Sequence, residues 1–221
     1  MFPLRDANPR HRTPYVGYTL LLINILVFLY GLTFTQLEAR AFVFTYGFIP
    51  DLFFSNPVGE GYRLLTSLFL HGGFAHILGN MFFLYVFGDN IEDRMGHVTF
   101  LVFYLLGGVA ATLAHGLFMT TSEVPMIGAS GAISAVLGAY IVLFPRMRVL
   151  TFIPPFFIFW LPAWLYLGYW ALIQVVQAVG GTFVSASAVN GVAWWAHVGG
   201  FVFGALLVRY LTDSKEVRPA V

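Results

Sequence analysis

Gly128-Ala129-Ser130-Gly131-Ala132-Ile133-Ser134-Ala135-Val136-Leu137-Gly138-Ala139-Tyr140-Ile141-Val142-Leu143-Phe144 opens on a Gly-x-Ser-Gly turn and runs on as an apolar stretch stopped by Pro145. From Ser130 to Phe144 it offers about 15 residues, or roughly 22 Å of helix, against a bilayer hydrocarbon core of about 30 Å. If Arg146 and Arg148 hold its inner end at the cytoplasmic interface, Ser130 lies roughly 8 Å below the outer surface. The loop before it then dips into the membrane, which irregular backbone tolerates only where protein or a water-filled cavity surrounds it. A serine flanked by glycines at that place is a candidate nucleophile. The tetrapeptide alone is weak, because small residues also pack transmembrane helices.

The rest of the chain has the same character. Of 221 residues, 59% are hydrophobic and 10% charged, too few polar groups to cover a soluble globule of this size. Apolar stretches run from Tyr15 to Phe34, Leu64 to Phe87, Val98 to Met119, Ser130 to Phe144, about Leu161 to Val179, and Trp194 to Leu211. The expectation is an all-α polytopic membrane protein with six transmembrane helices. The first stretch exceeds a signal-peptide core and lacks a small-x-small cleavage site, so it reads as a retained helix. Nine of the eleven Lys and Arg residues fall before the first span, after the second and fourth, and at or beyond the end of the sixth; only Arg40 and Arg63 fall on the other side. The positive-inside rule then places both termini in the cytoplasm. The expected division is a basic N-terminal segment, 1–14, a six-helix domain, 15–211, and a cytoplasmic tail, 212–221.

A net charge of +1 gives no nucleic-acid signal, and the absence of cysteine excludes disulfides and thiolate metal sites. No internal repeat of the transporter kind is visible. The apolar pieces Phe42-Val43-Phe44 and Leu52-Phe53-Phe54 in the first loop are too short to span and read as interfacial or as packing for the loop. Trp194 and Trp195 read as an outer aromatic belt, Pro154, Pro155 and Pro162 as belonging to the start of the fifth helix, and His11 and His97 as solvated.

Polar residues on three spans fall at similar depth. Counted back from Arg209, His197 stands about 18 Å above the inner interface; counted back from Asp89, His76 stands at about 20 Å and Asn80 at about 13 Å. His76 and Asn80, four apart, share a helix face, whereas His71 faces elsewhere or precedes the helix. Gly200 and Gly204 follow His197 as a small-residue stripe whose natural partner is Gly131, Ala135 and Gly138. That packing brings His197 to Ser130. A neutral imidazole can take the hydroxyl proton, and Asn80, His76 and the Ser130 N–H are available to an oxyanion. With no Asp or Glu near the outer halves of these helices, a Ser-His dyad is expected, not a triad.

Each residue has a plainer reading: a packing serine, a histidine joining two helices, His76 with Asn80 as interhelical glue, and glycines that only pack. It is their convergence at one depth and one opening that favours chemistry. A metal on His71, His76 and His197 is disfavoured because there is no His-Glu-x-x-His pair and no nearby carboxylate. His115 has no obvious partner.

Together these motifs resemble the rhomboid intramembrane serine proteases in their prokaryotic, six-helix form. The likeness runs from Pro3-Leu4-Arg5-Asp6 to about Leu211 and includes Tyr62-Arg63, His71-x4-His76-x3-Asn80, Glu92-Asp93-Arg94-Met95-Gly96, Gly128-Ala129-Ser130-Gly131 and Ala196-His197-x-x-Gly200-x-x-x-Gly204. The resemblance implies Ser130 as nucleophile, His197 as general base and acid, and His76 and Asn80 as oxyanion-hole side chains beside the Ser130 N–H. His71, Gly128, Gly131, Gly200 and Gly204 would support the site. It further implies cleavage of a single-pass membrane protein in or near its transmembrane helix, without cofactor, metal or ATP. Substrate entry beside the fifth helix would fit, in a prokaryotic inner membrane with the site opening outward. Physiological substrate and oligomeric state stay open. The competing class is a non-catalytic scaffold or chaperone that binds transmembrane segments on the same fold. Two positions depart from the family pattern: Tyr62 stands where many members have tryptophan, and Ser134 where some have an aromatic that packs on the catalytic histidine.

Overall fold

A computed structural model describes residues 1–182 and 192–212. Of the expected tail, all but Thr212 lies outside the described residues. The chain is mostly helical. Each of the six apolar stretches holds one principal helix: α1 (Tyr15–Gly31), α6 (Phe74–Met95), α7 (His97–Phe118), α8 (Ser130–Leu143), α9 (Ala163–Thr182) and α10 (Trp194–Leu211). Four short helices, α2 (Gln36–Tyr46), α3 (Pro50–Ser55), α4 (Pro57–Glu60) and α5 (Arg63–Thr66), fold the first loop. Among the described residues α7 and α9 are long and apolar enough to cross a membrane. A third span counts if the segment Pro57–Phe69 and α6, which meet at 82°, are taken as one. The bend falls at Leu70-His71-Gly72-Gly73, so the principal helix of the second apolar stretch starts at Phe74, ten residues after Leu64. Helices α1 and α8 are apolar but only 17 and 14 residues long.

The all-α expectation needs one correction. Strands β1 (Phe2–Asp6), β2 (Arg148–Ile153) and β3 (Phe157–Pro162) form an antiparallel sheet in the order β1-β2-β3. Val149, Thr151, Ile153, Phe157, Ile158, Phe159 and Trp160 are β-branched or aromatic and suit a pleated surface. Pro154 and Pro155 sit in the hairpin turn between β2 and β3, and only Pro162 adjoins the start of α9. Both prolines fall where no ladder hydrogen bond is needed. The basic N-terminal segment is thereby tied in, Phe2 opposite Phe152 and Asp6 opposite Val149.

The motif around Glu92 fastens the same segment from the other side. The Glu92 carboxylate, almost wholly buried, accepts the backbone N–H groups of Val16 (2.9 Å) and Gly17 (2.7 Å) at the start of α1. A negative charge there meets unpaired donors and the positive end of the helix dipole. His97 Nδ1 lies 2.5 Å from the same carboxylate, so this histidine is paired and not simply solvated. Asp93 accepts from the N–H groups of His11 (3.1 Å) and Arg12 (2.8 Å).

The first loop is built around buried Arg63, whose guanidinium donates to the carbonyls of Phe44 (2.6 Å) and Gly47 (2.9 Å) and pairs with Glu60. Phe53 is buried against Phe48, while Phe42 packs edge-on with Phe34 and Tyr46. Trp195 stacks on Phe118 at 3.7 Å, so this half of the expected aromatic belt packs on α7. The core lies along α8, where every residue from Gly131 to Tyr140 is buried.

Candidate active site

Backbone contact between α8 and α10 is the foundation of the site. A Cβ on Gly204 would collide with the carbonyl oxygen of Ala135, one on Gly200 with that of Gly131, and one on Gly138 with that of Phe201. Without side chains at these positions the two helices approach to backbone distance. The first residue of α8, Ser130, and the fourth of α10, His197, are thereby brought level: His197 Nε2 stands 2.8 Å from Ser130 Oγ. His197 is buried.

Ser130 occupies the first turn of α8, where backbone N–H groups have no partner within the helix. The turn before it depends on Gly128, whose φ of +125° is rarely adopted by L side chains. A Cβ there would also lie 2.7 Å from His76 Nε2. The Gly128 N–H donates to the Ser67 carbonyl (2.9 Å), and the adjoining strand is pinned by paired Phe48 and Met126, exchanging bonds of 2.9 and 2.7 Å. These bonds hold the irregular loop against the bundle.

His76 and Asn80 face this turn from α6. Asn80 Nδ2 donates to His71 Nε2 (2.9 Å), which orients the amide and uses one of its two hydrogens. His71 precedes α6 and turns back toward the site; its ring meets that of His76 edge-on, 5.0 Å between centroids. His76 Nδ1 accepts the Gly72 N–H at a long 3.4 Å. A cavity of about 300 Å³ opens between these elements, bounded by His76, Asn80, Gly128, Ser130, Trp170 and His197. Among the described residues no group of three or more His, Asp or Glu side chains could hold a metal ion.

Sequence reasoning missed one participant. Gln174 of α9, buried, places Oε1 2.7 Å from His197 Nδ1, while its Nε2 donates to the Trp170 carbonyl (3.1 Å). The signal was a lone amide within an apolar span, where an unpaired polar group is costly and implies a partner. Trp170 and Trp194 complete the walls around the imidazole, their ring centroids 6.0 and 5.9 Å from it. Trp194 thus borders the site.

Residues 58–214 match the family described as the Rhomboid domain. The chain belongs to the rhomboid family. It is 42% identical over 81 residues to Rhomboid protease GluP of Bacillus subtilis, covering 37% of this chain and 15% of that protein. It is 30% identical over 148 residues to RHOMBOID-like protein 4 of Arabidopsis thaliana, covering 67% of this chain and 33% of that one. With the mitochondrial Presenilin-associated rhomboid-like protein of Bos taurus the identity is 29% over 198 residues, 82% of this chain and 48% of the relative. The chain thus spans less than half the length of each of these relatives. Family and apolar helices together make this rhomboid an integral membrane protein.

Both departures from the family pattern have a local structural account in this rhomboid. Tyr62 anchors the first loop through its hydroxyl, which donates to the Thr45 carbonyl (2.9 Å). Ser134 turns its hydroxyl onto the Ser130 carbonyl (2.6 Å). It leaves the histidine to Gln174 and the two tryptophans.

Proposed function

We propose that this rhomboid is a serine endopeptidase that cleaves single-pass membrane proteins within or near their transmembrane helix. The observation that carries the proposal is the 2.8 Å approach of His197 Nε2 to Ser130 Oγ at the mouth of a cavity. In this reading Ser130 Oγ attacks the scissile carbonyl as its proton passes to His197 Nε2. The oxyanion is met by the Ser130 N–H, the second Asn80 amide hydrogen and His76. His197 then returns the proton to the leaving amine, and a water molecule, activated by the same imidazole, releases the acyl group and regenerates Ser130.

The domain extends from 15 to 211 in six spans with both termini cytoplasmic, and the site opens to the extracytoplasmic side of a prokaryotic inner membrane. Substrate enters beside α9 and unwinds locally, since a helical peptide bond is shielded by its own hydrogen bonds. No metal or cofactor is required by these steps. The test is cleavage of a tagged single-pass substrate by the purified protein in liposomes. Wild type is expected to cut, while folded Ser130→Ala and His197→Ala proteins are not. Equal cleavage by Ser130→Ala would overturn the proposal. Binding of the substrate by all forms without cleavage would favour a scaffold.

A further inference from the structure

We propose that Gln174 is a positioning residue of this site, holding His197 in the tautomer whose Nδ1 carries the proton and whose Nε2 is free to act on Ser130. The inference rests on the reading of Ser130 and His197 as the reacting pair, and it adds the third member that the lack of a carboxylate leaves open.

The argument is one of donors and acceptors. A backbone carbonyl can only accept, so the end of the Gln174 amide 3.1 Å from the Trp170 carbonyl must be its NH2 group. The other end is therefore oxygen, and it faces His197 Nδ1 at 2.7 Å. An amide oxygen can only accept, so Nδ1 carries hydrogen. In a neutral imidazole Nε2 is then the lone-pair nitrogen, 2.8 Å from Ser130 Oγ and able to accept its proton. The chain of four groups thus has a single polarity, set by one carbonyl of α9. Gln174 is buried, so water does not readily substitute for it.

The neutral amide has a second consequence. A carboxylate would stabilise the imidazolium by charge, whereas Gln174 supplies only direction. Its removal is therefore expected to cost less than the roughly 10⁴-fold seen when a carboxylate orienter is replaced and the tautomer inverted. At metal sites the loss of a group that orients a ligand histidine costs about 10- to 100-fold, and a loss toward the upper end of that range is expected here. Because α9 also carries Trp170, one helix supplies both the hydrogen bond and one ring wall of the histidine.

The experiment is ¹⁵N NMR of histidine-labelled full-length protein in detergent micelles, with His197 assigned by comparison with His197→Gln. The wild-type imidazole is expected to carry its proton on Nδ1, and Gln174→Leu to lose that preference. A wild-type proton on Nε2 overturns the proposal, whether or not the protein cleaves anything. A wild type that shows the Nδ1 proton but does not cleave would leave the orientation standing and count against the protease reading alone. In the cleavage assay Gln174→Leu is expected to lower kcat about 10²-fold with KM changed less than about threefold. Gln174→Glu, which keeps an acceptor at the same reach, is expected to recover at least a tenth of the wild-type kcat. A folded Gln174→Leu protein with wild-type kcat overturns the proposal.

Discussion

The two ends of α8 carry polar side chains of similar kinds and use them in opposite ways. At its N-terminal end Ser130, His197, His76 and Asn80 border a cavity, and Asn80 spends one of its two amide hydrogens on His71. At its C-terminal end Tyr140 donates to Asp6, which also accepts from Asn90 Nδ2 (3.0 Å), while two residues further along α6 Glu92 accepts two backbone N–H groups and pairs with His97. One end keeps hydrogen-bonding capacity for a ligand. The other consumes it in tying the N-terminal strand and α1 to the bundle. Buried polar groups in an apolar protein thus fall into two classes, separable by whether their bonds close on the protein itself.

Substitutions should divide the same way. The largest effect is expected at Ser130: Ser130→Ala should lower kcat roughly 10⁴- to 10⁶-fold, as loss of a nucleophile does in serine proteases. Its thermal midpoint should stay close to wild type, measured by the unfolding of purified protein. Next comes the seam that makes the Ser130 end possible. Gly204→Val drives a side chain into the Ala135 carbonyl, and because backbone cannot yield as a side chain does, a loss of about 3 kcal/mol or more is expected. A folded, fully active Gly204→Val protein would show that the helix approach does not set the Ser130–His197 distance.

Helix α6 offers a cleaner comparison, since it carries one asparagine to each end. Asn80→Ala removes a donor aimed at the cavity and is expected to lower kcat about 10²-fold with little change in stability. Asn90→Ala removes the bond to Asp6 and is expected to cost about 1–3 kcal/mol in stability while kcat stays within about threefold of wild type. Kinetics and denaturation on the same two proteins decide the matter. Were the outcomes exchanged, the division between the two ends would fail.

Much of this architecture is legible in the sequence because it depends on spacing. The short run from Ser130, the glycines of α10 and the four-residue interval from His76 to Asn80 are local patterns, and each fixes a face or a depth. What escapes is non-local. The sheet joins residues 150 positions apart, Phe2 to Phe152, and the apolar β3 segment lies next to the fifth apolar stretch and reads as part of the same hydrophobic region. Gln174 escapes for the same reason: its partner lies 23 residues on, in another helix. A lone amide in an apolar span announces that a partner exists without saying which.

The Tyr140 end also has a pH dependence, the smallest effect expected. Burial, opposed by the bond with Tyr140 and reinforced by the neighbouring Asp89 carboxylate, pushes the Asp6 carboxyl up from its ordinary 3.8 to about 7. A folded carboxyl titrating above its unfolded value holds its proton longer in the fold than out of it. Stability is then greatest at low pH and falls as pH rises from about 4 through 7, levelling beyond, which is the reverse of a carboxylate held by an ion pair. Asp6→Asn keeps an acceptor for the Tyr140 hydroxyl and removes the titration. Between pH 5 and 7, where the other carboxylates of ordinary pKa are already ionised, the wild-type thermal midpoint should decline relative to that of Asp6→Asn. Cleavage rates measured at fixed temperature well below both midpoints should keep the same ratio across that interval, because the group lies at the end of α8 away from Ser130. Parallel midpoints in the two proteins would mean that Asp6 is ionised throughout, and that the Tyr140 end is held by charge as much as by hydrogen bonds.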